Sequence, residues 1–170
     1  GRGLRIVKSI DELKQAFLSS KNESLLSFGS NRIYIEKYIE NPRHIEVQIL
    51  SDNSNLVHLG ERECSIQRRN QKLIEETPSP ALSQEKRNQI TDIAKNIIKE
   101  MEYNNAGTVE FLFKNGEFYF MEVNARIQVE HPITEVVTGI DIVEQQIHIA
   151  RGDGLLINQK DINFTGHAIE

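Results

Sequence analysis

The sequence predicts an α+β fold in which an antiparallel sheet is flanked by helices. Extended segments occur as neighbouring pairs joined by turns, which is the arrangement of antiparallel hairpins. The helical segments stand in separate blocks, which disfavours a doubly wound parallel sheet. A length of 170 residues with 38% hydrophobic content suits one ordinary domain with its own core.

The first part of the chain opens with a short predicted strand at 4–7 and continues into a helix. Ser9 followed by Glu12 is a capping box, so the helix is expected to start there. The apolar spacing lets the helix run, or restart, to about Phe28. Gly29 then ends it, because glycine readily adopts the left-handed conformation of a helix C-terminus.

Three extended segments follow, at 32–39, 44–50 and 56–60. Pro42 lies between the first two and breaks regular pairing because it has no backbone N–H donor, so we interpret this point as a hinge or linker. The turn at 51–55 joins the last two segments into an antiparallel hairpin.

Residues 61–77 are polar without a clear period, which predicts a long functional loop or a short strand. Ser83 caps the clearest helix, whose apolar residues repeat at the spacing of one buried stripe. These residues are Ile90, Ile93, Ala94, Ile97, Ile98 and Met101. A last amphipathic helix spans 140–150 and ends near Gly152, and an incipient strand lies at 166–170.

Composition narrows the functional classes. The net charge of −5 argues against a nucleic-acid surface, and no apolar run is long enough for a bilayer or a signal peptide. A single cysteine, Cys64, excludes an internal disulfide and fits the cytoplasm or, alternatively, the mitochondrial matrix. One basic cluster either decorates a solvated face or binds a small polyphosphate. It consists of Arg62, Arg68, Arg69 and Lys72.

Polar side chains occupy every second position between residues 122 and 130, which predicts one extended face. They are Glu122, Asn124, Arg126, Gln128 and Glu130. The apolar residues between them are expected to pack on a core. These are Val123, Ala125, Ile127 and Val129. Carboxylates, amides and a guanidinium together suit a metal ion and an anionic substrate.

Glu110 and Glu122 lie on the two strands of a second predicted hairpin, 108–113 and 118–123, and loop parity decides whether they share a face. A two-residue turn would pair Phe113 with Phe118 and separate the carboxylates. We predict instead a three-residue loop with a G1 bulge, which leaves one face wholly apolar and places both glutamates on the other. Two carboxylates with the Asn124 amide would suit Mg²⁺ or Mn²⁺. The alternative is a polar sheet face with scattered salt bridges.

The predicted apolar face has a definite composition, which the structure can test. It comprises Val109, Phe111, Phe113, Tyr119, Met121 and Val123, with Leu112 and Phe120 on the polar side.

The run from Glu122 to Arg126 resembles the E-x-N-x-R strand of biotin carboxylases and carbamoyl-phosphate synthetases, both of the ATP-grasp superfamily. Its continuation, Ile127 to Glu135, resembles biotin carboxylase and not the synthetases. Three further stretches match in order, so the resemblance covers essentially the whole chain. They are 36–46, 60–72 and 106–111.

The resemblance implies an ATP-dependent ligase that carboxylates biotin with bicarbonate through carboxyphosphate. It implies that Glu110, Glu122 and Asn124 hold magnesium or manganese, and that Glu130 is the general base. The implied bicarbonate residues are Lys72, Arg126, Gln128, Val129 through its backbone, and Glu130. Arg126 would also stabilise the biotin enolate, and Lys72 is counted with Arg126 and Glu130 as catalytic. A helix-start carboxylate facing the helix dipole remains an alternative for Glu130.

The resemblance also implies an ATP site made of Glu36, Lys37, the backbone of Ile39, His44, Gln67 and Asn70. Residues 1–40 would be the C-terminal part of the ATP-grasp lid subdomain with the adenine-binding linker, and 41–170 an incomplete catalytic subdomain. Asn70 stands where the family commonly has histidine. Residues 1–3 resemble the tail of the glycine-rich loop over ATP, so we expect a truncated excerpt that is inactive alone.

The implied cofactors are ATP, Mg²⁺ or Mn²⁺, and biotin on a carrier domain. The implied partners are a biotin carboxyl carrier domain and a carboxyltransferase of an acyl-CoA or pyruvate carboxylase, in an oligomeric full-length protein, with no nucleic acid and no membrane. Two alternatives stay open, namely another ATP-grasp ligase such as a carbamoyl-phosphate synthetase and a non-catalytic nucleotide-binding module.

Overall fold

The structure is a computed structural model that describes residues 4–52 and 54–170. The chain divides into two compact units, residues 1–40 and 41–170. The predicted tail of a glycine-rich loop at 1–3 lies outside the described residues, as does Asn53 in the predicted turn at 51–55.

The first unit contains one helix, α1 (Ile10–Phe28), which begins and ends where the sequence predicts. Gly29 is left-handed at φ 67°, and its N–H bonds to the Leu25 carbonyl at 3.0 Å. The capping box is only partly correct. The Ser9 side chain makes no cap hydrogen bond, and the Glu12 carboxylate accepts from the Lys8 backbone N–H instead, at 3.1 Å.

The predicted strands at 4–7 and 32–39 are wrong, since both segments lack regular secondary structure. A strand requires a neighbour that completes its ladder of hydrogen bonds, and no described strand pairs with either segment. Their β-branched and aromatic residues favour extended backbone without specifying a partner.

The second unit is a six-stranded sheet flanked by helices, which confirms the predicted α+β class. The strands are β1 (Arg43–Ser51), β2 (Leu56–Arg68), β3 (Gln71–Thr77), β4 (Asn105–Lys114), β5 (Glu117–Asn124) and β6 (Ala168–Ile169). The helices are α2 (Gln84–Glu100), α3 (His131–Thr138) and α4 (Ile142–Arg151). All pairings are antiparallel, in the order β5-β4-β1-β2-β3-β6.

For 61–77 the sequence predicted a long loop or a short strand. The loop is wrong and the strand is correct, because this segment forms the second half of β2 and all of β3. Arg69 and Asn70 join the two strands with φ of 53° and 64°, the paired positive values of a type I′ turn. The middle of β2 is buried on both faces and carries charged residues, so it lacks the alternation that identifies a half-exposed strand.

The other helices form near their predicted positions. The Ser83 hydroxyl accepts from the Lys86 N–H and starts α2 as expected. Helix α4 begins at Ile142, two residues after the prediction, because the Asp141 carboxylate caps it by accepting from the Glu144 N–H. The incipient strand at the end of the chain is β6, which pairs with β3. Among the described residues, no helix is both long and apolar enough to cross a membrane.

The two faces of the sheet are buried differently, and this difference creates the site. On one face, odd-numbered residues of β1 and β4 pack with the apolar stripe of α2. This cluster contains Ile45, Val47, Ile49, Val109, Phe111, Ile90, Ala94 and Ile98. On the other face, Leu50 and Ala106 pack with Ile142 of α4, while even-numbered polar residues of the same strands are covered near α3.

The predicted three-residue loop of the second hairpin is wrong. Phe113 pairs with Phe118 around a two-residue Asn115-Gly116 turn, with φ of 52° and 80°. Phe118 therefore packs against the α2 cluster where Tyr119 was expected. A β-bulge at Met121 then shifts the register by one, since Phe111 pairs with Phe120 but Glu110 with Glu122. The bulge returns both carboxylates to one face, so the predicted juxtaposition holds for a different reason.

The single extended face predicted for residues 122–130 is also wrong. Strand β5 ends at Asn124, and residues 125–130 bend and turn before α3. Ile127 packs against the α4 cluster, but the Val129 side chain is 83% exposed. The alternation of polar and apolar residues between 122 and 130 therefore does not come from one strand, since its first part lies at the end of β5 and its second part in the loop before α3.

Candidate active site

A row of charged residues crosses four strands on the polar face of the sheet. Glu46 of β1 pairs with Arg62 of β2 and, on its other side, with Glu110 of β4. Glu110 pairs in turn with Glu122 of β5. Residues directly opposite each other in adjacent strands place their side chains close together. The register therefore gathers three carboxylates and one guanidinium that are far apart in the sequence.

Lys72 of β3 joins this row to the loop before α3. Its ammonium donates to Glu130 at 2.7 Å, to Glu110 at 3.0 Å and to Glu46. The Lys72 side chain is 19% exposed, while the three carboxylates are almost fully buried. One cation therefore holds together side chains from β1, β4 and the start of α3.

Glu110 is the most heavily contacted carboxylate of the site. Its Oε1 accepts from Gln128 at 2.7 Å, from Asn124 at 2.9 Å and from Lys72 at 3.0 Å. His44 Nε2 lies 2.7 Å from its Oε2. These donors outweigh burial, which alone would raise the pKa of Glu110, and lower that pKa to about 2. Glu110 is therefore an anion at neutral pH.

Lys72 and Glu130 are mutually stabilised in their charged forms. Burial alone would lower the pKa of Lys72, but the carboxylate of Glu46 and the bond to Glu130 raise that pKa above its usual range. Burial alone would raise the pKa of Glu130, but the bond from Lys72 lowers it. Glu130 is also the N-cap residue of α3, although its side chain makes no cap hydrogen bond. Its carboxylate is thus directed to Lys72, and the alternative of a helix-start carboxylate that faces the helix dipole stays a prediction.

Arg62 lies beneath these groups and is fully buried. Its guanidinium donates to five side chains from β1, β4, the loop and α3. The acceptors are Glu46 at 2.6 Å, Gln48 at 2.8 Å, Thr134 at 2.9 Å, Gln128 at 3.2 Å and Thr108 at 3.5 Å. The basic cluster was predicted either to lie on a solvated face or to bind a polyphosphate. Both interpretations are wrong for Arg62, because it is fully buried, whereas Arg68 and Arg69 are exposed.

His44 and Gln67 form a second contact at the edge of the site. The Gln67 amide nitrogen donates to the Cys64 carbonyl and lies 2.8 Å from His44 Nδ1. The carbonyl acceptor fixes the amide orientation, so His44 Nδ1 is an acceptor and the proton is on Nε2, the nitrogen nearer to Glu110. His44 and Gln67 were both predicted for the nucleotide, and the structure brings them together beside Glu110.

The predicted metal ligands also converge. The Asn124 amide nitrogen lies between the carboxylates of Glu110 and Glu122, at 2.9 Å and 3.3 Å. A single donor bridging two carboxylates marks a position where a hard divalent cation would find oxygen ligands, and rotation of the amide would present the Asn124 oxygen. The residues present therefore fit Mg²⁺ or Mn²⁺.

Two other groups have potential ligand atoms close together within the part of the chain that the structure describes. They are His44 with Glu46 and Glu110, and Glu46 with Cys64 and Glu130. The Lys72 ammonium already contacts a carboxylate of each group. Burial, followed by the Glu46 carboxylate, raises the pKa of the Cys64 thiol, which disfavours the thiolate that a metal would need. These groups fit a metal less well.

The remaining predicted residues lie outside this cluster. Arg126 is exposed and bonds to the Ile127 carbonyl at 3.1 Å and to the Asn124 oxygen at 3.4 Å. Asn70 occupies the turn between β2 and β3, where its left-handed backbone is a local reason for asparagine. Glu36, Lys37 and Ile39 belong to the first unit, and their roles stay a prediction.

Sequence reasoning missed the residues that support the site from below. Glu46, Gln48, Thr108 and Thr134 were not chosen as site residues, and Arg62 was placed in the wrong class. The one available signal was period two from His44 through Glu46 to Gln48 on a predicted strand. That signal carries no information about which strands lie beside it.

The chain matches the family model for the ATP-binding domain of the carbamoyl-phosphate synthase L chain over residues 1–158. A pyruvate carboxylase subunit of Methanothermobacter thermautotrophicus is 55% identical, with 100% of this chain and 35% of the relative covered. Biotin carboxylase of Nostoc is 54% identical, with 100% of this chain and 38% of the relative covered. The chain therefore spans little more than a third of these relatives.

A solved structure is also highly similar. The biotin carboxylase domain of Hydrogenobacter thermophilus 2-oxoglutarate carboxylase, in complex with MgADP, ADP and bicarbonate, superposes with a TM-score of 0.93 at 49% identity. The match covers 99% of this chain and 38% of that one. These findings agree with the resemblance of the motifs and with the antiparallel sheet. The chain therefore belongs to the family of carbamoyl-phosphate synthase L chain ATP-binding domains, and within it is similar to part of biotin carboxylase.

Proposed function

We propose that the full-length protein is an ATP-dependent biotin carboxylase and that this chain supplies its metal and bicarbonate site. The observation that carries the proposal is the convergence of Lys72, Glu110, Asn124, Gln128 and Glu130 through hydrogen bonds of 2.7 to 3.0 Å. The relative from Hydrogenobacter, crystallised with MgADP and bicarbonate, supports the same ligands for this site.

Glu110, Glu122 and Asn124 would hold the metal, which when bound would offset charge on the phosphates of ATP. The Hydrogenobacter relative binds magnesium with ADP, and manganese has the same preference for oxygen ligands. His44 and Gln67 would contact the nucleotide from the neighbouring strands, with Asn70 at the hairpin turn. Glu36, Lys37 and the Ile39 backbone would hold the adenine, which makes residues 1–40 lid and linker and 41–170 the catalytic subdomain.

Lys72 and Gln128, with the backbone of Val129, would hold bicarbonate next to the phosphate. Glu130 would accept the proton of bicarbonate as a bicarbonate oxygen attacks the γ-phosphorus of ATP and the bond to ADP breaks. An anion bound to Lys72 would compete with Glu130 for the ammonium, which would raise the pKa of Glu130 and make it a stronger base. Carboxyphosphate would then release CO₂ and phosphate.

Arg126 suits the last step because its guanidinium is exposed just after the end of β5. There it donates to a carbonyl and an amide oxygen and, among residues 4–52 and 54–170, to no carboxylate. There it would stabilise the enolate that forms when the released phosphate takes the N–H proton of the biotin ureido ring, as the ring nitrogen attacks CO₂. The biotin would arrive on a carrier domain and leave for a carboxyltransferase, within an oligomeric acyl-CoA or pyruvate carboxylase. The predicted compartment stays the cytoplasm, with the mitochondrial matrix as the alternative.

The test is substitution of the proposed base in the full-length protein. Glu130→Gln keeps the shape and a hydrogen-bonding oxygen but cannot take a proton. Loss of general-base catalysis typically lowers the rate about 10²- to 10⁴-fold, so we expect a loss of that order in biotin-dependent ATP cleavage with nucleotide binding retained. Glu100→Gln is the matched control, because Glu100 is exposed at the end of α2.

Full activity in Glu130→Gln would exclude this assignment of the base. The same assay separates the competing functions. ATP cleavage that needs bicarbonate but never responds to biotin would favour another ATP-grasp ligase of the matched family. Nucleotide binding without any cleavage would favour a non-catalytic module.

A further inference from the structure

The most completely satisfied polar group in the described structure is the guanidinium of Arg62. Arginine has five N–H donors, and Arg62 has five acceptors within 3.5 Å while being fully buried. Burying an unpaired charge is costly, so every one of these contacts matters to the fold. Two of the five acceptors, however, belong to side chains whose other ends contact the proposed site.

Glu46 is the first of these two. Its Oε1 accepts from Arg62 Nε at 2.6 Å, and its Oε2 accepts from the Lys72 ammonium. Because the buried guanidinium fixes one oxygen of the Glu46 carboxylate, the position of the second oxygen is fixed as well. Arg62 thus determines where Glu46 holds Lys72.

Gln128 is the second. Its Oε1 accepts from Arg62 at 3.2 Å, and its Nε2 donates to Glu110 at 2.7 Å. An amide can rotate to exchange its oxygen and nitrogen, but the rotated form would place N–H groups against the guanidinium and an oxygen against a carboxylate. Arg62 therefore selects the amide orientation that directs the Gln128 donor into the site.

We infer that Arg62 is a positioning residue which, through Glu46 and Gln128, sets Lys72 and the Gln128 amide in the geometry that binds bicarbonate. It does so without touching substrate, because it is fully buried. The inference rests on the proposed function, since it deepens the role of Lys72 and Gln128. Thr134 of α3 also accepts from Arg62, at 2.9 Å, so the same guanidinium fixes the helix that follows the Glu130 loop.

The test is Arg62→Lys in the full-length protein, assayed for bicarbonate- and biotin-dependent ATP cleavage. Lysine keeps the charge but has three donors and no fork, so it cannot hold Glu46 and Gln128 together. One lost charge-assisted hydrogen bond corresponds to roughly a ten- to hundredfold effect. We expect a rise of that order in KM for bicarbonate, a lower kcat, and a smaller change in KM for ATP.

Arg87→Lys is the matched control. Arg87 also pairs with a buried carboxylate, Glu61 at 2.7 Å, and bonds to the Ser79 carbonyl at 3.1 Å, but it ties α2 to β2 away from the site. A purely structural arginine should lower Tm and leave both KM values unchanged. Arg62→Lys is expected to lower Tm and also to change KM for bicarbonate.

An Arg62→Lys protein that is folded and has unchanged KM for bicarbonate and unchanged kcat would overturn the inference. If that variant does not fold, Glu46→Gln keeps an oxygen for Arg62 but removes the anionic acceptor of Lys72, and an unchanged KM for bicarbonate there would overturn it equally. A crystal structure provides a readout independent of activity. Retention of both the Glu46–Lys72 and Gln128–Glu110 hydrogen bonds in Arg62→Lys would refute positioning. A wild-type protein without bicarbonate-dependent ATP cleavage would instead refute the proposed function.

Discussion

Replacing Lys72 by methionine should destabilise the fold in a pH-dependent way. Methionine keeps an unbranched stem but removes the ammonium that donates to Glu46, Glu110 and Glu130. Three nearly buried carboxylates would then face one another with less compensation. The variant therefore tests whether Lys72 is the charge that allows the acidic site to form.

The structure sets the magnitude of the loss. Breaking a buried ion pair by removing one partner typically costs about 3–5 kcal/mol. The Lys72 side chain is 19% exposed, and Arg62 still neutralises Glu46, so the cost should fall below that range. We expect a decrease of about 2–3 kcal/mol in the free energy of unfolding at pH 7.

The sign of the pH dependence follows from Glu130. Its lowered folded pKa contributes stability above the pKa of the unfolded state, and this contribution is lost as the pH falls through the folded pKa. Without Lys72, burial would raise the pKa of Glu110 and Glu130, so protonation of these two carboxylates in mild acid would relieve the variant. The gap between wild type and variant should thus be widest near pH 7 and shrink towards pH 4.

Urea unfolding followed by far-ultraviolet circular dichroism measures this gap, since the chain contains no tryptophan. Arg151→Met is the control, because Arg151 pairs with Asp153 at 3.5 Å on the protein surface. Such surface pairs contribute about 0–1 kcal/mol. A Lys72→Met gap that is as small as the control, or that stays constant between pH 7 and pH 4, would refute the electrostatic reasoning.

Three further predictions concern other sites. Gly60→Ala should lower the free energy of unfolding by about 1–3 kcal/mol, since its φ is +78° and the added Cβ would lie 2.6 Å from the Phe164 ring. Urea unfolding measures this loss, and a smaller loss in a Phe164→Leu background would verify the clash. His58 is kept neutral because burial and then Lys95 lower its pKa to about 4. Its contribution to stability is therefore present above pH 6.5 and lost towards pH 4. In His58→Gln the urea midpoint should depend less on pH over that range. Glu122→Gln should weaken Mn²⁺ binding, measured by calorimetry, by about tenfold or more, and unchanged affinity would exclude Glu122 as a ligand.

Local signals were sufficient for most of the secondary structure. The end of α1 and the start of α2 follow from Gly29 and Ser83, because caps act within a few residues. The continuation of β2 beyond Gly60 was not recognised, because burial on both faces removes the alternation there. The strands at 4–7 and 32–39 were predicted without a partner that could complete a ladder.

The site also combines residues that the sequence identifies with an arrangement that only the fold provides. Glu110, Glu122, Gln128 and Glu130 are the proposed ligands and base, and the sequence singled them out by their resemblance to a known family. Their juxtaposition, however, depends on a bulge at Met121 that no local pattern predicted. The predicted three-residue loop is wrong, but its consequence, that Glu110 and Glu122 lie on the same face, is correct because of the bulge.

The sequence by itself determined the fold class, the helix boundaries and the residue types that could bind a metal and an anion. Only the tertiary structure decided which charges neutralise which. Strand order places Glu46 between Arg62 and Glu110, and Lys72 reaches them from β3, whose place in the sheet the sequence did not reveal. The physical reason is that capping and periodicity act over a few residues, whereas buried charges are paired across strands whose register is set by the packing of the whole sheet.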